Sequence, residues 1–177
     1  MIRNPGEAQY RIESLGEKHD RASFSCGVEA LDRYLQKQAG QDIAKKVAVV
    51  FVITPDGEQI GGFYTLSAHV VKLSDLPENV AKKLPRYPDV PATLLGRLAV
   101  SKDYQGQGIG DLLLVDAFRR ALANAREIAS AVILVDAKDD RARRFYLRHG
   151  FIPLPSQPNR LFYPLKTIEK LFASELK

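Results

Sequence analysis

The chain has one cysteine, Cys26, one methionine and no tryptophan among its 177 residues. A single thiol excludes an internal disulfide framework and fits a reducing compartment, so the expected location is the cytoplasm. The three histidines, His19, His69 and His149, stand at spacings that match no metal-ligand pattern. Each reads as a structural histidine, and no metal is expected. No apolar run approaches the length of about 20 residues that a membrane helix needs. The longest strand-like run, Val47 to Ile53, directly follows Lys45 and Lys46. The opening Met-Ile-Arg-Asn-Pro-Gly has no apolar core of the kind a secretory leader carries, so neither secretion nor a membrane partner is expected.

Acidic charge is also scarce. Twenty-one Asp and Glu against 26 Lys and Arg leave a net charge of +5, with a pI near 9.3. That balance calls for an anionic partner, and nucleic acid, an acidic protein or a phosphorylated cofactor would each meet it. The length suits one domain, residues 1–177, and an apolar content of 45% is enough for a sizeable core.

What is present is organised around glycine and apolar periodicity. Residues 22–44 read as two helical pieces, with Ser25-Cys26-Gly27 as the N-cap region and Val28, Leu31, Tyr34, Leu35 and Gln38 at helical spacing. Val47 to Thr54 reads as a strand, Pro55-Asp56-Gly57 as a tight turn, and Ile60 to Val71 as the return strand with a bulge or bend at Gly61-Gly62. Residues 72–91 hold Pro77, Pro85, Pro88 and Pro91, so a stiffened loop with one short helix is expected there. Leu94 to Val100 is the next strand. A helix from Gly108 to Ala125 is expected to bury Leu112, Leu113, Val115, Ala117, Ala121 and Leu122. Ala131 to Val135 is continuously apolar, as a strand covered on both faces would be. Arg141 to His149 forms a helix closed by Gly150, two short strands follow at Phe151-Ile152 and Leu161 to Leu165, and the tail from Thr167 is helical.

One stretch carries chemistry. Leu98 to Gly110 runs from an apolar strand through a glycine-rich turn into the long helix. Glycines let backbone N–H groups approach a phosphate closely, and a helix N-terminus adds about half a positive charge. The order of Gln105-x-x-Gly108-x-Gly110 and Ala142-x-x-Phe145-Tyr146-x-x-x-Gly150-Phe151 resembles the Gcn5-related N-acetyltransferases (GNAT) along residues 94–151. The resemblance implies an α+β (α/β) fold whose mixed central sheet, flanked by helices, splays between two parallel strands. It also implies acetyl-CoA in the splay, its pantetheine arm on Leu98, Ala99 and Val100 and its pyrophosphate on Gln105, Gly106, Gln107, Gly108, Ile109 and Gly110.

Further runs narrow the likeness to one branch. His19-Asp20, Phe24-Ser25-Cys26-Gly27, Leu31-Asp32-x-Tyr34-Leu35, Phe63-Tyr64-x-Leu66-Ser67, Leu84-Pro85-Arg86-Tyr87-Pro88 and Leu95-Gly96-Arg97-Leu98-Ala99-Val100 resemble acetyltransferase toxins of bacterial toxin–antitoxin pairs. That branch implies transfer of acetyl to the α-amino group of the amino acid on charged tRNA, which blocks translation. It further implies a ribbon-helix-helix antitoxin, a homodimer, and DNA reached only through the antitoxin complex. Asp139 departs from the pattern, since many acetyltransferases place a cofactor-contacting asparagine there.

Acetyl transfer to an amine needs a neutral amine, a polarised thioester and a proton for the departing thiolate. Tyr146 suits the last task, because a phenol with a pKa near ~10 is protonated at neutral pH. No glutamate stands out as a base in the middle strands, and Glu58 falls in a turn. An α-amine, with a pKa of ~7.7–8.0, needs less help than a lysine at ~10.4. Arg33, Lys37, Lys82, Lys83 and Arg86 are expected to follow tRNA phosphates, together with Lys45, Lys46 and Arg160. Arg97 is either paired within the sheet or aimed at the acceptor. The alternatives to a tRNA-acetylating toxin are an acetyltransferase for a small amine or a protein N-terminus, and a regulatory module without turnover.

Overall fold

The computed structural model describes residues 9–175, so the expectations about the first six residues lie outside it. The elements are β1 (Arg11–Ser14), α1 (Glu29–Arg33), a π-helical segment (Tyr34–Gln38), α2 (Ala39–Ala44), β2 (Val49–Thr54), β3 (Gly62–Lys72), α3 (Glu78–Ala81), β4 (Asp89–Val100), α4 (Ile109–Ala125), β5 (Val132–Asp136), α5 (Asp140–Arg148), β6 (Ile152–Leu154), β7 (Gln157–Pro164) and α6 (Leu165–Glu175). The strands form a mixed seven-stranded sheet in the order β1-β2-β3-β4-β5-β7-β6. The chain divides into two compact units, Met1–Thr65 with Arg97–Asp116 and Leu66–Gly96 with Ala117–Lys177. Among the described residues no helix is long and apolar enough to cross a membrane.

In the first unit β1 pairs antiparallel with β2, from Arg11↔Thr54 to Ser14↔Phe51. β1 is absent from the sequence reading because its four residues, Arg-Ile-Glu-Ser, carry only one apolar side chain. The core gathers Phe24, Tyr34, Leu35, Val50, Val52, Phe63 and Ala99, with Phe63 edge-on to Phe24 at 5.4 Å and stacked on Tyr34 at 6.2 Å. Burying side chains of this size contributes roughly 1.5–3 kcal/mol each. The two expected helical pieces are continuous, joined through the π segment. Ser25-Cys26-Gly27 does not cap them: the N-cap is Val28, which has no side-chain acceptor. The Asp32 carboxylate instead reaches back and accepts from the Cys26 amide at 2.8 Å.

The expected bulge at Gly61-Gly62 is a close approach: a Cβ on Gly62 would lie 2.8 Å from the Ala99 carbonyl oxygen. α4 also corrects an expectation. In its first-unit part Ile109, Leu113 and Leu114 are buried, while Leu112 and Val115 are 47% and 38% exposed. Leu113, and further along Ala117 and Ala121, are buried as expected; Leu112 and Val115 are not, because Leu112 to Val115 is a continuous apolar run whose composition does not mark the inner side.

In the second unit β4 runs parallel to β5 from Ala92↔Val132 to Leu95↔Val135, and β5 is antiparallel to β7 from Val132↔Pro164 to Asp136↔Arg160. Val132 to Val135 are all buried, as the continuous apolar run requires. β4 begins at Asp89 rather than Leu94. Pro91, near its start, lacks an N–H, but its carbonyl accepts from Ala131 at 2.9 Å. The parallel ladder stops at Leu95↔Val135, whereas β4 continues to Val100. β5 itself ends one residue later, at Asp136, so the last part of β4 runs on past the end of its parallel neighbour.

Candidate active site

The glycine turn is built by the first unit. Its approach is fixed by backbone bonds from Ser101 N–H to the Gly61 carbonyl and from Lys102 N–H to the Ser25 carbonyl, both 2.8 Å. The Gln105 side-chain amide donates to the carbonyls of Cys26 and Val100, each at 3.0 Å. Gln105 therefore shapes the turn with its side chain and has only its backbone left to face a ligand. Gln107 donates to the Asp103 carbonyl at 3.3 Å and accepts from the Tyr10 hydroxyl at 3.3 Å.

Gly106 and Gly108 both hold φ +78°, a conformation L side chains rarely adopt, and nothing lies within 4 Å of the place a Cβ would occupy on either. Ile109, 1% exposed, roots the first turn of α4 behind them. The result is an open, exposed run of backbone at the N-terminus of a 17-residue helix, a set of N–H donors suited to a pyrophosphate. Leu98 and Val100 are half-buried and Ala99 buried, on the part of β4 beyond the end of its parallel ladder. These residues fit acetyl-CoA.

The second unit supplies the phenol. Tyr146 is 6% exposed, its ring edge-on to Phe145 and Phe151 at 5.3 Å each. Burial pushes its pKa well above the ordinary tyrosine value. Its hydroxyl has no hydrogen-bond partner among the described residues, yet no described side-chain oxygen is both sealed from solvent and unpartnered. The ring is thus locked while the O–H is accessible and uncommitted. The helix that carries it is capped at both ends. The Asp139 carboxylate accepts from the Ala142 amide at 2.8 Å, and Gly150, at φ +95°, packs against the Tyr163 ring where no Cβ would fit. Asp139 therefore has a structural task of its own at the position where the family pattern has asparagine.

The expected substrate residues do not form one set. Arg33 is held by Glu29 at 2.6 Å, and Lys37 is exposed on the π segment. Arg97, left open between two readings, stacks its guanidinium 3.6 Å over the Tyr34 ring. The Tyr34 hydroxyl donates to Asp42 at 2.9 Å, and Gln38 donates to the same carboxylate at 3.0 Å. Burial and that bond push the Tyr34 phenol up to about 12. In the second unit Lys82 and Lys83 are exposed at the end of α3, and Arg86 is exposed in the turn after it. Arg160 is clamped in two bonds to Asp136 at 2.7 and 2.9 Å, so it adds nothing to a free cationic surface.

His19 is buried, accepts from the Gly16 amide at 2.9 Å and bonds Glu13 at 2.8 Å, a structural histidine. Cys26 is buried. Glu58 is exposed in the β2–β3 turn, as expected. Tyr34, Gln38 and Asp42 stand four residues apart, a spacing that places them on one helix face; the sequence reading marks Tyr34 and Gln38 but not Asp42.

The profile of the acetyltransferase (GNAT) domain matches residues 46–153. The chain belongs to the GNAT acetyltransferase family. Within GNAT proteins it is similar to a probable toxin TacT from Sinorhizobium fredii, 35% identical over 95% of this chain and 98% of that protein. It is also similar to a tRNA-acetylating toxin from Mycobacterium tuberculosis, 37% identical over 89% and 93%. Among solved GNAT structures, AtaT complexed with acetyl-methionyl-tRNAfMet superposes with a TM-score of 0.86 at 32% identity, over 93% of this chain and 99% of that one. A tyrosine-to-phenylalanine variant of AtaT, bound to the C-terminus of the antitoxin AtaR and acetyl-CoA, gives 0.78 at 28% identity over 93% and 99%.

Proposed function

We propose that this protein is the toxin of a toxin–antitoxin pair and transfers acetyl from acetyl-CoA to the α-amino group of the amino acid on charged tRNA. The observation that carries the mechanism is Tyr146, a phenol with a locked ring and an uncommitted hydroxyl on the helix after β5. The likeness to a tRNA-acetylating toxin and to AtaT complexed with acetyl-methionyl-tRNAfMet supports the acceptor.

Leu98, Ala99 and Val100 hold the pantetheine arm, and the backbone from Gln105 to Gly110 holds the pyrophosphate. Bound acetyl-CoA supplies the thioester. The neutral α-amine attacks the carbonyl carbon, the C–S bond breaks, and Tyr146 keeps a proton at its phenol oxygen for the leaving sulfur. The amine loses one proton, which restores the phenol, so nitrogen loses what sulfur gains. At pH 7.5 roughly a third of an α-amine is neutral, against about a thousandth of a lysine. The exposed placement of Glu58 in a turn supports an acceptor that needs no dedicated carboxylate base. Arg33, Lys37, Lys82, Lys83, Arg86 and Arg97 are the proposed tRNA contacts. A ribbon-helix-helix antitoxin, through which DNA is reached, a homodimer and a cytoplasmic location complete the reading.

The test is purified protein with acetyl-CoA and charged tRNA, assayed for N-acetyl-aminoacyl-tRNA. Wild type should form it. Tyr146→Phe should lower kcat at least 100-fold, within the range a general acid contributes, and leave acetyl-CoA affinity within twofold. Acetylation of free amines with none on charged tRNA would sink the tRNA reading, and a fully active Tyr146→Phe would remove the acid.

A further inference from the structure

α5 carries four arginines, of which one is hydrogen-bonded within the described residues: Arg143 donates its Nε–H to the Pro158 carbonyl at 3.0 Å. Arg141, Arg144 and Arg148 are exposed, and no carboxylate among the described residues forms an ion pair with any of them. Asp140 lies four residues before Arg144, the spacing at which helical ion pairs close, yet it leaves Arg144 free. At 100° per residue, positions 141, 144 and 148 fall within about 60° of one another. The centre of that strip lies about 180° around the helix from Tyr146. The inner side of α5 is thus the catalytic phenol and the outer side a row of guanidinium groups.

Helix stability accounts for only one member of the row: Arg148 lies in the last turn, where the helix dipole favours a cation, and Arg144 stands mid-helix. Arg141 sits in the first turn, where the helix dipole disfavours a cation. Arg148 rests over the Phe145 ring at 5.7 Å, a contact that leaves its in-plane N–H donors open. With 1.5 Å of rise per residue, the three groups are spaced about 4.5 and 6 Å along the axis. Unpaired, exposed guanidinium groups in a row are the donors that sugar-phosphate oxygens take.

We propose that Arg141, Arg144 and Arg148, on the face of α5 opposite Tyr146, form a phosphate-binding strip for the sugar-phosphate backbone of the tRNA whose acceptor end is acetylated. The strip is distinct from the basic residues of α1, the π segment and the α3 loop, and it rests on the tRNA reading above. Because it sits on the helix that holds Tyr146, contacts made there register the substrate against the catalytic phenol without reading any base.

The experiment compares wild type, the Arg141→Gln/Arg144→Gln/Arg148→Gln variant and the corresponding triple lysine variant in two assays. The first is direct binding of uncharged tRNA across a series of salt concentrations. The second is acetylation of charged tRNA and of a minimal amino-acid ester with no phosphates. The glutamine variant should bind uncharged tRNA at least tenfold more weakly and show a salt slope shallower by roughly 2 to 3, one increment per lost phosphate contact. Its KM for charged tRNA should rise, while its kcat on the ester and its acetyl-CoA affinity hold. The lysine variant should recover most of the affinity. Equal tRNA binding and an equal salt slope in wild type and glutamine variant overturn the strip, as does a loss confined to acetyl-CoA affinity. If wild type binds uncharged tRNA through the strip but acetylates no charged tRNA, the acceptor reading fails and the strip stands. Should the glutamine variant fail to fold, the three single variants carry the same readout at one salt increment each.

Discussion

A methyl group on Gly62 would meet the Ala99 carbonyl oxygen at 2.8 Å and Leu113 Cδ1 at 2.9 Å. The nearer of these is backbone and cannot rotate away, so Gly62→Ala should destabilise the protein by about 1–3 kcal/mol. Urea unfolding should show a lower midpoint at unchanged slope. Gly108 gives the opposite contrast. It faces open space at positive φ, so Gly108→Ala imposes about 1–2 kcal/mol of backbone strain without a clash inside the protein. The added carbon points to where a phosphate must approach, so the larger effect should be on acetyl-CoA: a KM raised tenfold or more, with kcat changed less. An unaltered KM would mean that the turn holds no pyrophosphate. Sequence alone marked both glycines but not this difference, since Gly62 is set by a neighbour 37 positions along the chain, whereas Gly108 faces open space at φ +78°.

At the scale of elements, legibility followed periodicity. β5 was plain because four consecutive apolar residues are buried on both faces, and α5 because Ala142, Phe145, Tyr146 and His149 repeat on one side of a polar helix. α4 was found with Leu113, Ala117 and Ala121 buried as expected, but Leu112 and Val115 were misplaced, because they are as apolar as the buried Leu113 and Leu114. β1 gave no signal in four largely polar residues, and nothing local distinguishes the π turn from the helix around it. The arginine strip of α5 was equally silent: a charged row looks like any solvated face until its partners can be counted. Asp139 is an element-scale case with a direct test. Its carboxylate caps α5 through the Ala142 amide, so Asp139→Ala should cost about 1 kcal/mol, whereas Asp139→Asn, an equally good cap, should cost little. Thermal melts of the three proteins decide it. If asparagine and alanine destabilise alike, the carboxylate's charge rather than its capping bond holds the helix end.

Over the whole molecule, the feature that chemistry and stability share is the burial of phenols. Four of the seven tyrosines have pKa values pushed above the ordinary value, with desolvation as the largest cause: Tyr34 to about 12, and Tyr104, Tyr146 and Tyr163 upward. Each stays neutral in the folded protein at a pH where the unfolded chain would ionise it. The folded state therefore binds more protons than the unfolded state above pH ~10, and stability must fall as pH rises there. Below pH ~10 both states are protonated at these sites and their contribution is complete. The expected result is a melting temperature that is unaffected by these groups near neutrality and drops steeply between about pH 10 and 12. Tyr146→Phe should flatten part of that decline, because phenylalanine cannot ionise in either state. The same substitution gives the catalytic readout, so a variant whose alkaline melting curve flattens while its transfer rate collapses would locate both effects in the Tyr146 hydroxyl. A wild-type melting temperature that is level through pH 12 would show that these phenols ionise as easily folded as unfolded. That outcome would remove the link between these phenols and stability but leave Tyr146 protonated at neutral pH, since an ordinary phenol titrates near ~10.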